Sequence, residues 1–257
     1  MVTLAIPADL ALALRHATRV VALTGAGVSA ESGVPTFRDA LSGLWAKFDP
    51  RELATPSAFA RNPKLVWDWY AARRESLAGV APNPGHHALA RMDARVPDFL
   101  LATQNVDGLH ARAGSRRLVE LHGNIARVRC SREGRVVAGW DPPADGLPPR
   151  CPHCGAFLRP DVVWFEEMLP EDALARAETA ARRAEVMLVV GTSAEVWPAA
   201  ALPRHAQAAG ARVVEVNTEA TPLSDFAHDV LRAPSGVALP ALVAAAWPEV
   251  HEGAADR

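Results

Sequence analysis

The sequence contains few cysteines, almost no net charge and no long hydrophobic run, and each scarcity excludes a class of protein. Among 257 residues there are 3 cysteines, and the formal net charge is −2 at pH 7. An odd number of cysteines, two of them in Cys151-x-x-Cys154, favours a metal site or free thiols over a disulfide framework. The near-zero charge gives no support for a nucleic-acid partner. No stretch reaches the roughly 18 uninterrupted apolar residues that a membrane span requires.

The N-terminal stretch MVTLAIPADLALALRHA is apolar, but it has no basic leader and it contains Asp9. This pattern favours a first helix over a signal peptide. Together with the balanced composition, it predicts a soluble cytoplasmic protein. The length allows one sizeable core, or one large and one small domain.

Helical and strand patterns alternate along most of the chain, which is typical of an α/β fold. Strands are predicted at 20–23, 99–103, 118–121, 186–190 and 213–216, with a last one near Val230. Helices are predicted at 8–17, from Thr55-Pro56, and at 63–77, 86–95, 106–113, 171–183, 199–209 and 237–246. We therefore predict a doubly wound parallel, Rossmann-like sheet from residues 1–40, 81–122 and 166–257. A smaller inserted lobe combines a helical part at 41–80 with a cysteine-containing, zinc-ribbon-like module at 123–165.

The first predicted strand ends in Thr24-Gly25-Ala26-Gly27, a turn that can hold a nucleotide phosphate. Its glycines would let backbone N–H groups approach a pyrophosphate, and a helix predicted from Val28 would add a favourable dipole. A dehydrogenase would end a second strand in an acidic residue about 20 residues later. Here that region contains Pro35, Gly43 and Trp45 and predicts no strand. Residues 31–39 are instead predicted to form the lid or wall of an active site.

Polar motifs follow several of the other predicted strands. They are TQNVD at 103–107, GTS at 191–193 and NTE at 217–219. Because the carboxyl ends of parallel strands share one edge, these motifs are expected to line one crevice. His122 ends a further strand at this edge, where an imidazole can accept a proton near neutral pH. The alternative interpretation is that His122 is a structural histidine, and that Asn105 and Asp107 are turn or capping residues.

The segment GAGVSAESGVPTFR at 25–38, followed in order by TQNVD, Leu121-His122-Gly123, GTS and NTE, resembles the sirtuins. These are NAD-dependent protein-lysine deacylases, and the resemblance spans nearly the whole chain. It implies that acyl-lysine proteins or peptides are the partners, and that nicotinamide and an O-acyl-ADP-ribose are the products. Mono-ADP-ribosyl transfer and a non-catalytic sensor of NAD or acyl peptide are the alternatives.

The resemblance also implies a role for individual residues. His122 would be the general base that deprotonates a ribose hydroxyl of NAD after the acyl-lysine oxygen has displaced nicotinamide, and Asn105 would assist catalysis. Phe37 and Arg38 would form a lid over the nicotinamide end. The implied NAD contacts are Gly25, Ala26, Gly27, Glu31, Thr36, Phe37, Arg38, Gln104, Asn105, Val106, Asp107, Gly191, Thr192, Ser193, Asn217, Thr218 and Glu219.

A structural zinc in this family normally has two Cys-x-x-Cys pairs, whereas this chain has Cys130-x-x-Glu133 in place of the first. The resemblance therefore implies Cys130, Cys151 and Cys154 as zinc ligands, and the fourth ligand of the tetrahedral site is left unassigned. Glu133, Asp141 or His153 could supply the fourth ligand, since zinc binds carboxylate and imidazole as well as thiolate. Equally, packing alone could hold the module without metal.

Tyr70 and Arg73 are three residues apart on the helix predicted at 63–77, so they share one face. On an arbitrary helix this would be a surface aromatic–cation pair. However, residues 53–74 resemble the class III sirtuins, in which a Tyr-x-x-Arg pair lines the acyl pocket. The resemblance implies that succinyl- or malonyl-lysine is processed at least as well as acetyl-lysine.

Two further segments, Phe165-Glu166-Glu167 and Ala194–Trp197, resemble the strands between which a sirtuin clamps its substrate peptide. The family commonly has glycine where this chain has Glu166. A glutamate is expected to be tolerated there if the backbone is extended, and to change which flanking side chains are accepted.

Overall fold

The computed structural model describes residues 4–35, 49–141 and 146–248. A six-stranded parallel sheet forms its centre, in the order β3-β2-β1-β7-β8-β9. Its strands are β1 (Arg19–Thr24), β2 (Asp98–Thr103), β3 (Leu118–Glu120), β7 (Val186–Val190), β8 (Arg212–Val216) and β9 (Asp229–Leu231). The predicted doubly wound parallel sheet is therefore confirmed.

The central strands are apolar because both faces of the sheet are covered. Successive side chains of β1 point to opposite faces, so Val20 and Ala22 belong to one buried cluster and Val21 and Leu23 to another. The helices are α1 (Ala8–His16), α2 (Pro50–Leu53), α3 (Pro56–Arg61), α4 (Pro63–Ala78), α5 (Pro84–Arg95), α6 (Leu109–Arg112), α7 (Glu171–Arg183), α8 (Leu202–Ala208) and α9 (Ser235–Ala246). Helices α1, α5 and α9 cover one face, and α7 and α8 cover the other.

A second, antiparallel sheet has the order β5-β4-β6 and comprises β4 (Gly123–Cys130), β5 (Val136–Val137) and β6 (Leu158–Val162). Trp69 and Tyr70 of α4 share a buried cluster with Ile125, Val162 and Trp164. The described parts of the two predicted insertions therefore pack together. The division of the chain into two domains at the stated boundaries stays a prediction.

Helix α3 begins as its sequence predicts. The Thr55 hydroxyl accepts a hydrogen bond from the Ala58 N–H at 3.1 Å, and Pro56 occupies the first turn. Within the described ranges, no helix is both long enough and apolar enough to span a bilayer.

Two predicted helices differ from the structure at the edge where the site lies. The helix predicted at 106–113 is only Leu109–Arg112, because Gly108 has a φ of 74° and the Asp107 carboxylate accepts the Leu109 N–H at 2.9 Å. The helix predicted from Val28 is a seven-residue 3₁₀ segment, Ala26–Ser32, which ends at Gly33 with a φ of 81°. Both segments are turns that place side chains at the sheet edge.

Candidate active site

A cavity of about 500 Å³ opens at the carboxyl ends of the central strands, between the large sheet and the smaller lobe. Predicted site residues that line it are Ala26, Tyr70, Arg73, Gln104, Asn105, Val106, Asp107 and His122. Thr36, Phe37 and Arg38 lie outside the described residues. The cavity thus brings together the predicted base, the TQNVD motif and the predicted acyl-pocket pair.

His122 lies in the turn between β3 and β4, where its backbone carbonyl accepts the Val163 N–H at 2.9 Å. Gly123 makes this turn with a φ of 81°, and a Cβ there would lie 2.1 Å from the Asp161 carbonyl oxygen. The His122 Nδ1 is 2.9 Å from the Gln104 carbonyl oxygen. A carbonyl only accepts, so Nδ1 carries the proton and Nε2 of the neutral ring has a free lone pair. His122 can therefore act as a base through Nε2.

Burial lowers the pKa of His122 below the ordinary value of 6.5, while the hydrogen bond to the Gln104 carbonyl raises it in part. A lowered pKa favours the neutral imidazole. The ring is therefore ready to accept a proton at neutral pH.

Ser29 joins two polar side chains of the TQNVD motif, those of Asn105 and Asp107. Its hydroxyl donates to Asp107 Oδ2 at 2.7 Å and accepts from Asn105 Nδ2 at 3.0 Å. Asn105 is also held by its backbone N–H, which donates to the Thr103 hydroxyl at 3.0 Å. The Ser29 hydroxyl thus fixes the positions of the amide and the carboxylate. Sequence reasoning did not single out Ser29, although it lies inside the GAGVSAES stretch.

Two buried histidines behind Ser29 were also missed. His86 Nδ1 accepts the Asn83 N–H at 3.2 Å, so its Nε2 carries a proton toward the Ser29 hydroxyl at 3.3 Å. Burial lowers the pKa of His86 to about 4, and burial with His86 as neighbour lowers that of His110 to about 3. Both rings are therefore neutral hydrogen-bonding groups at pH 7.

The glycines of the first loop pack this loop against the loop that follows β7. The Gly25 N–H donates to the Val190 carbonyl at 3.0 Å, and the Gly27 N–H donates to the Gly191 carbonyl at 2.8 Å. Both glycine amides are therefore paired within the protein, and the approach of other backbone N–H groups of this turn to a pyrophosphate stays a prediction. A Cβ on Gly25 would lie 2.7 Å from the Thr192 Cβ, and one on Gly27 would lie 2.7 Å from the Gly191 Cα. Both glycines allow the loops after β1 and β7 to touch.

Gly191 shows the same close approach from the other loop, and it offers a test. Its φ is 59°, and a Cβ would lie 2.4 Å from the Val28 nitrogen. We expect Gly191→Ala to lower the free energy of unfolding by about 2–4 kcal/mol. Gly210 is the matched control, since its φ is 92° but nothing lies within 4 Å of a Cβ. Gly210→Ala should cost only about 1 kcal/mol. Equal losses in urea denaturation would contradict the proposed packing role.

Thr192 ties together the loops that follow β2, β7 and β8. Its hydroxyl accepts from Gln104 Nε2 at 3.0 Å, and its carbonyl accepts from Asn217 Nδ2 at 3.0 Å. Ser193, Thr218 and Glu219 are exposed beside it. The predicted NAD-binding motifs therefore lie at one edge of the sheet, as their positions after strands predict.

Glu31 contacts the start of α9, and its implied contact with NAD stays a prediction. Its carboxylate accepts the Gly236 N–H at 2.6 Å and the Ser235 hydroxyl at 3.1 Å, which caps the first turn of α9. The structure assigns Glu31 this capping role, and the carboxylate is not among the groups that line the cavity.

Tyr70 and Arg73 line the cavity from α4. Tyr70 is only 1% exposed, so the surface-pair interpretation is wrong. Its hydroxyl accepts from Trp164 Nε1 at 3.0 Å, which leaves its own proton to donate. Burial raises the pKa of Tyr70 to about 12, so the phenol stays neutral. The Arg73 guanidinium carbon lies 5.0 Å from the centre of the Trp69 ring.

The three cysteines converge in the smaller lobe and are not disulfide-bonded. Four possible ligand atoms lie within 4.8 Å of one another, namely the Sγ atoms of Cys130, Cys151 and Cys154 and a carboxylate oxygen of Glu133. A tetrahedral zinc with bonds of about 2.3 Å separates its sulfur ligands by about 3.8 Å, so this cluster has the size of a zinc site. Among the described residues, the cluster includes Glu133 but neither Asp141 nor His153.

Comparison with known proteins agrees with this geometry. Residues 25–198 match the Sir2 family. The chain is 56% identical over 232 residues to an NAD-dependent protein deacylase of Thermus thermophilus, covering 88% of this chain and 90% of the relative. It is 49% identical over 242 residues to NAD-dependent protein deacylase 1 of Pseudomonas aeruginosa, covering 91% and 97%.

Solved structures show the same fold. A Sir2 homologue crystallised as a complex with NAD superposes with a TM-score of 0.87 at 44% identity, covering 94% of each chain. A Sir2 protein with a deacetylated p53 peptide and 3′-O-acetyl ADP-ribose superposes with a TM-score of 0.79 at 32% identity, covering 91% and 95%. With the family match across the catalytic loops and relatives aligned over most of its length, this chain belongs to the Sir2 family.

Proposed function

We propose that this protein is an NAD-dependent protein deacylase, which removes acyl groups from lysine and forms nicotinamide and an O-acyl-ADP-ribose. The observation that carries the proposal is His122, whose Nε2 is free to accept a proton inside a cavity that Asn105 and Asp107 also line. Relatives that are about half identical over most of the chain are NAD-dependent protein deacylases.

The donor set at the sheet edge suits NAD. The side chains of Gln104, Asn105, Asp107 and Asn217 offer amides and a carboxylate, which match a carboxamide and ribose hydroxyls. When bound, NAD supplies a ribose carbon from which nicotinamide can leave. The further NAD contacts in this proposal are Gly25, Ala26, Gly27, Thr36, Phe37, Arg38, Val106, Gly191, Thr192, Ser193, Thr218 and Glu219.

The chain's own groups have defined tasks in this reaction. His122 takes the proton from a ribose hydroxyl through Nε2, while the Gln104 carbonyl keeps Nδ1 protonated. Ser29 holds the Asn105 amide and the Asp107 carboxylate in fixed positions. The side chains of Val106, Val162 and Trp164 form an apolar part of the cavity wall, which would limit the access of water to the reacting atoms.

The direct test is to mix the purified protein with NAD and an acyl-lysine peptide. Release of nicotinamide that requires the peptide, with equal loss of acyl-lysine, supports the proposal. ADP-ribose attached to protein would indicate mono-ADP-ribosyl transfer. Saturable NAD binding without turnover on acetyl-, malonyl- or succinyl-lysine peptides would indicate a sensor.

We further propose that Tyr70 and Arg73 receive the terminal carboxylate of succinyl- or malonyl-lysine. A carboxylate is costly to bury unless a cation and a hydrogen-bond donor receive it. Tyr70 has a hydroxyl proton to donate, and Arg73 brings positive charge into the same cavity. Acetyl-lysine has no such carboxylate and does not need the pair.

We propose that Cys130, Cys151, Cys154 and Glu133 hold a structural zinc. The purified protein should then contain about one zinc per chain by atomic emission. Glu133→Ala should weaken zinc retention against a chelator by about tenfold or more, and Glu133→Cys should restore it. Asp141→Ala and His153→Ala are the controls and should retain zinc normally. Equal retention in all variants would contradict a ligand role for Glu133.

The partners in this proposal are acyl-lysine proteins or peptides. The cytoplasmic location stays a prediction from the sequence.

A further inference from the structure

The mouth of the cavity carries an unusual backbone. Within the described part of the chain, only Glu166 and Ala194 have a positive φ without being glycine, at 72° and 56°. Glu166 lines the cavity, and Ala194 begins the segment whose residues Val196 and Trp197 line it from the other side. A non-glycine residue in this region is strained, and such residues cluster where a site requires them. The condition under which a glutamate was expected to be tolerated here, an extended backbone, is therefore not met.

The two neighbouring glutamates at this mouth differ in their contacts. The Glu167 carboxylate accepts from Arg159 Nη1 at 2.5 Å and from the Trp164 N–H at 2.8 Å, so it is held inside the smaller lobe. Glu166 is exposed, and no described residue forms an ion pair or a side-chain hydrogen bond with it. The Glu166 carboxylate thus lies at the entrance of the cavity, and no contact with a described residue accounts for the strained backbone there.

The surface around Glu166 is suited to an extended peptide. Phe165, Met168 and Trp197 are 51%, 88% and 69% exposed, which is high for such large apolar side chains. Phe165 and Trp197 line the cavity itself, and Met168 lies next to the cavity-lining Glu167 in the chain. Glu195 adds a second exposed carboxylate on the opposite segment. A peptide whose acyl-lysine enters the cavity therefore places its neighbouring residues beside negative charge.

We propose that Glu166 is a specificity-determining residue that selects substrates with a basic side chain next to the acyl-lysine. The inference rests on the proposed deacylase function, and it names the class of peptide that this site prefers. An exposed ion pair contributes little free energy. However, attraction of a basic peptide and repulsion of an acidic peptide both widen the difference in kcat/KM between the two. We expect kcat/KM for a peptide with arginine beside the acyl-lysine to exceed that for the glutamate peptide by about threefold to tenfold at low salt.

The test compares three peptides that differ only in arginine, glutamine or glutamate beside the acyl-lysine, placed on either side in turn. Glu166→Gln removes the charge and keeps the side-chain length, and Glu166→Gly also removes the strain. Both variants should reduce the arginine-to-glutamate preference at least by half, where the preference is the ratio of kcat/KM for the two peptides measured within each variant. High salt should reduce the preference of the normal protein in the same way.

Asp225→Asn is the matched control, because Asp225 is an exposed carboxylate that does not line the cavity. It should keep the full preference. The melting temperature of Glu166→Gln should equal that of the normal protein. That of Glu166→Gly should equal or exceed it, since glycine adopts this φ without strain. No preference in the normal protein, or an undiminished preference in Glu166→Gln, would overturn the inference. Absence of turnover with every peptide would instead contradict the proposed function.

Discussion

Replacing His122 with alanine is expected to reduce kcat/KM for deacylation by about 10²–10⁴-fold, because a positioned general base contributes this much. The variant removes the one imidazole that lines the cavity in the described structure and has a free Nε2. NAD affinity, measured by calorimetry, should change little, since Gln104, Asn105 and Asp107 stay in place. His87→Ala is the control, because His87 is exposed on α5, and it should keep normal activity.

The same residue sets the pH dependence. Burial lowers the pKa of His122 below 6.5, so the neutral base persists at pH values below that point. The acid limb of kcat/KM should therefore have its midpoint below 6.5, with activity lost as the pH falls further and the ring protonates. A midpoint clearly above 6.5 would mean that His122 is not the base that limits the rate. The same conclusion would follow if the His122→Ala variant had the same kcat/KM as the normal protein.

The second large effect concerns the acyl group. The double variant Tyr70→Phe with Arg73→Met is expected to lose desuccinylation by about 10²–10³-fold in kcat/KM, because truncating a buried charge pair costs about 2–5 kcal/mol. Deacetylation should fall by less than about threefold, since an acetyl group has no carboxylate to pair. Rates on otherwise identical succinyl- and acetyl-lysine peptides give both numbers.

Arg73→Lys is the companion variant, which keeps the positive charge but loses the bidentate fork. It should retain part of the succinyl activity. Because Tyr70 accepts the Trp164 Nε1 hydrogen bond, Tyr70→Phe leaves a buried donor unpaired, and melting curves must confirm that the variant folds. If both activities fall together in a folded variant, or if the normal protein ignores succinyl-lysine, Tyr70 and Arg73 are not the acyl-selecting pair.

The sequence predicted the features that depend on local pattern. The apolar run at Val20–Leu23 and the alternation of helices and strands predict a parallel sheet with two covered faces, and the structure has that sheet. The convergence of TQNVD, His122, GTS and NTE follows from strand direction alone. Local capping was equally predictable, as Thr55-Pro56 at the start of α3 shows.

Features that depend on contacts between distant segments were not predictable. The Gly25 and Gly27 amides bind carbonyls at the end of β7 and just after it, which no pattern in residues 20–28 reveals. Glu133 lies beside the three cysteines, whereas Asp141 and His153 do not, because of where the turns of the smaller lobe bring each side chain. The left-handed backbone at Glu166 contradicts its own residue preference, and this residue lines the cavity.

In the proposed reaction, the acyl group of lysine is transferred to ADP-ribose while NAD is consumed. A peptide with a carbon-13 label in the lysine acyl group tests it by mass spectrometry. We expect labelled O-acyl-ADP-ribose in a one-to-one ratio with nicotinamide and with deacylated lysine. Labelled free carboxylic acid released without nicotinamide, or nicotinamide released while the acyl-lysine stays intact, would contradict it.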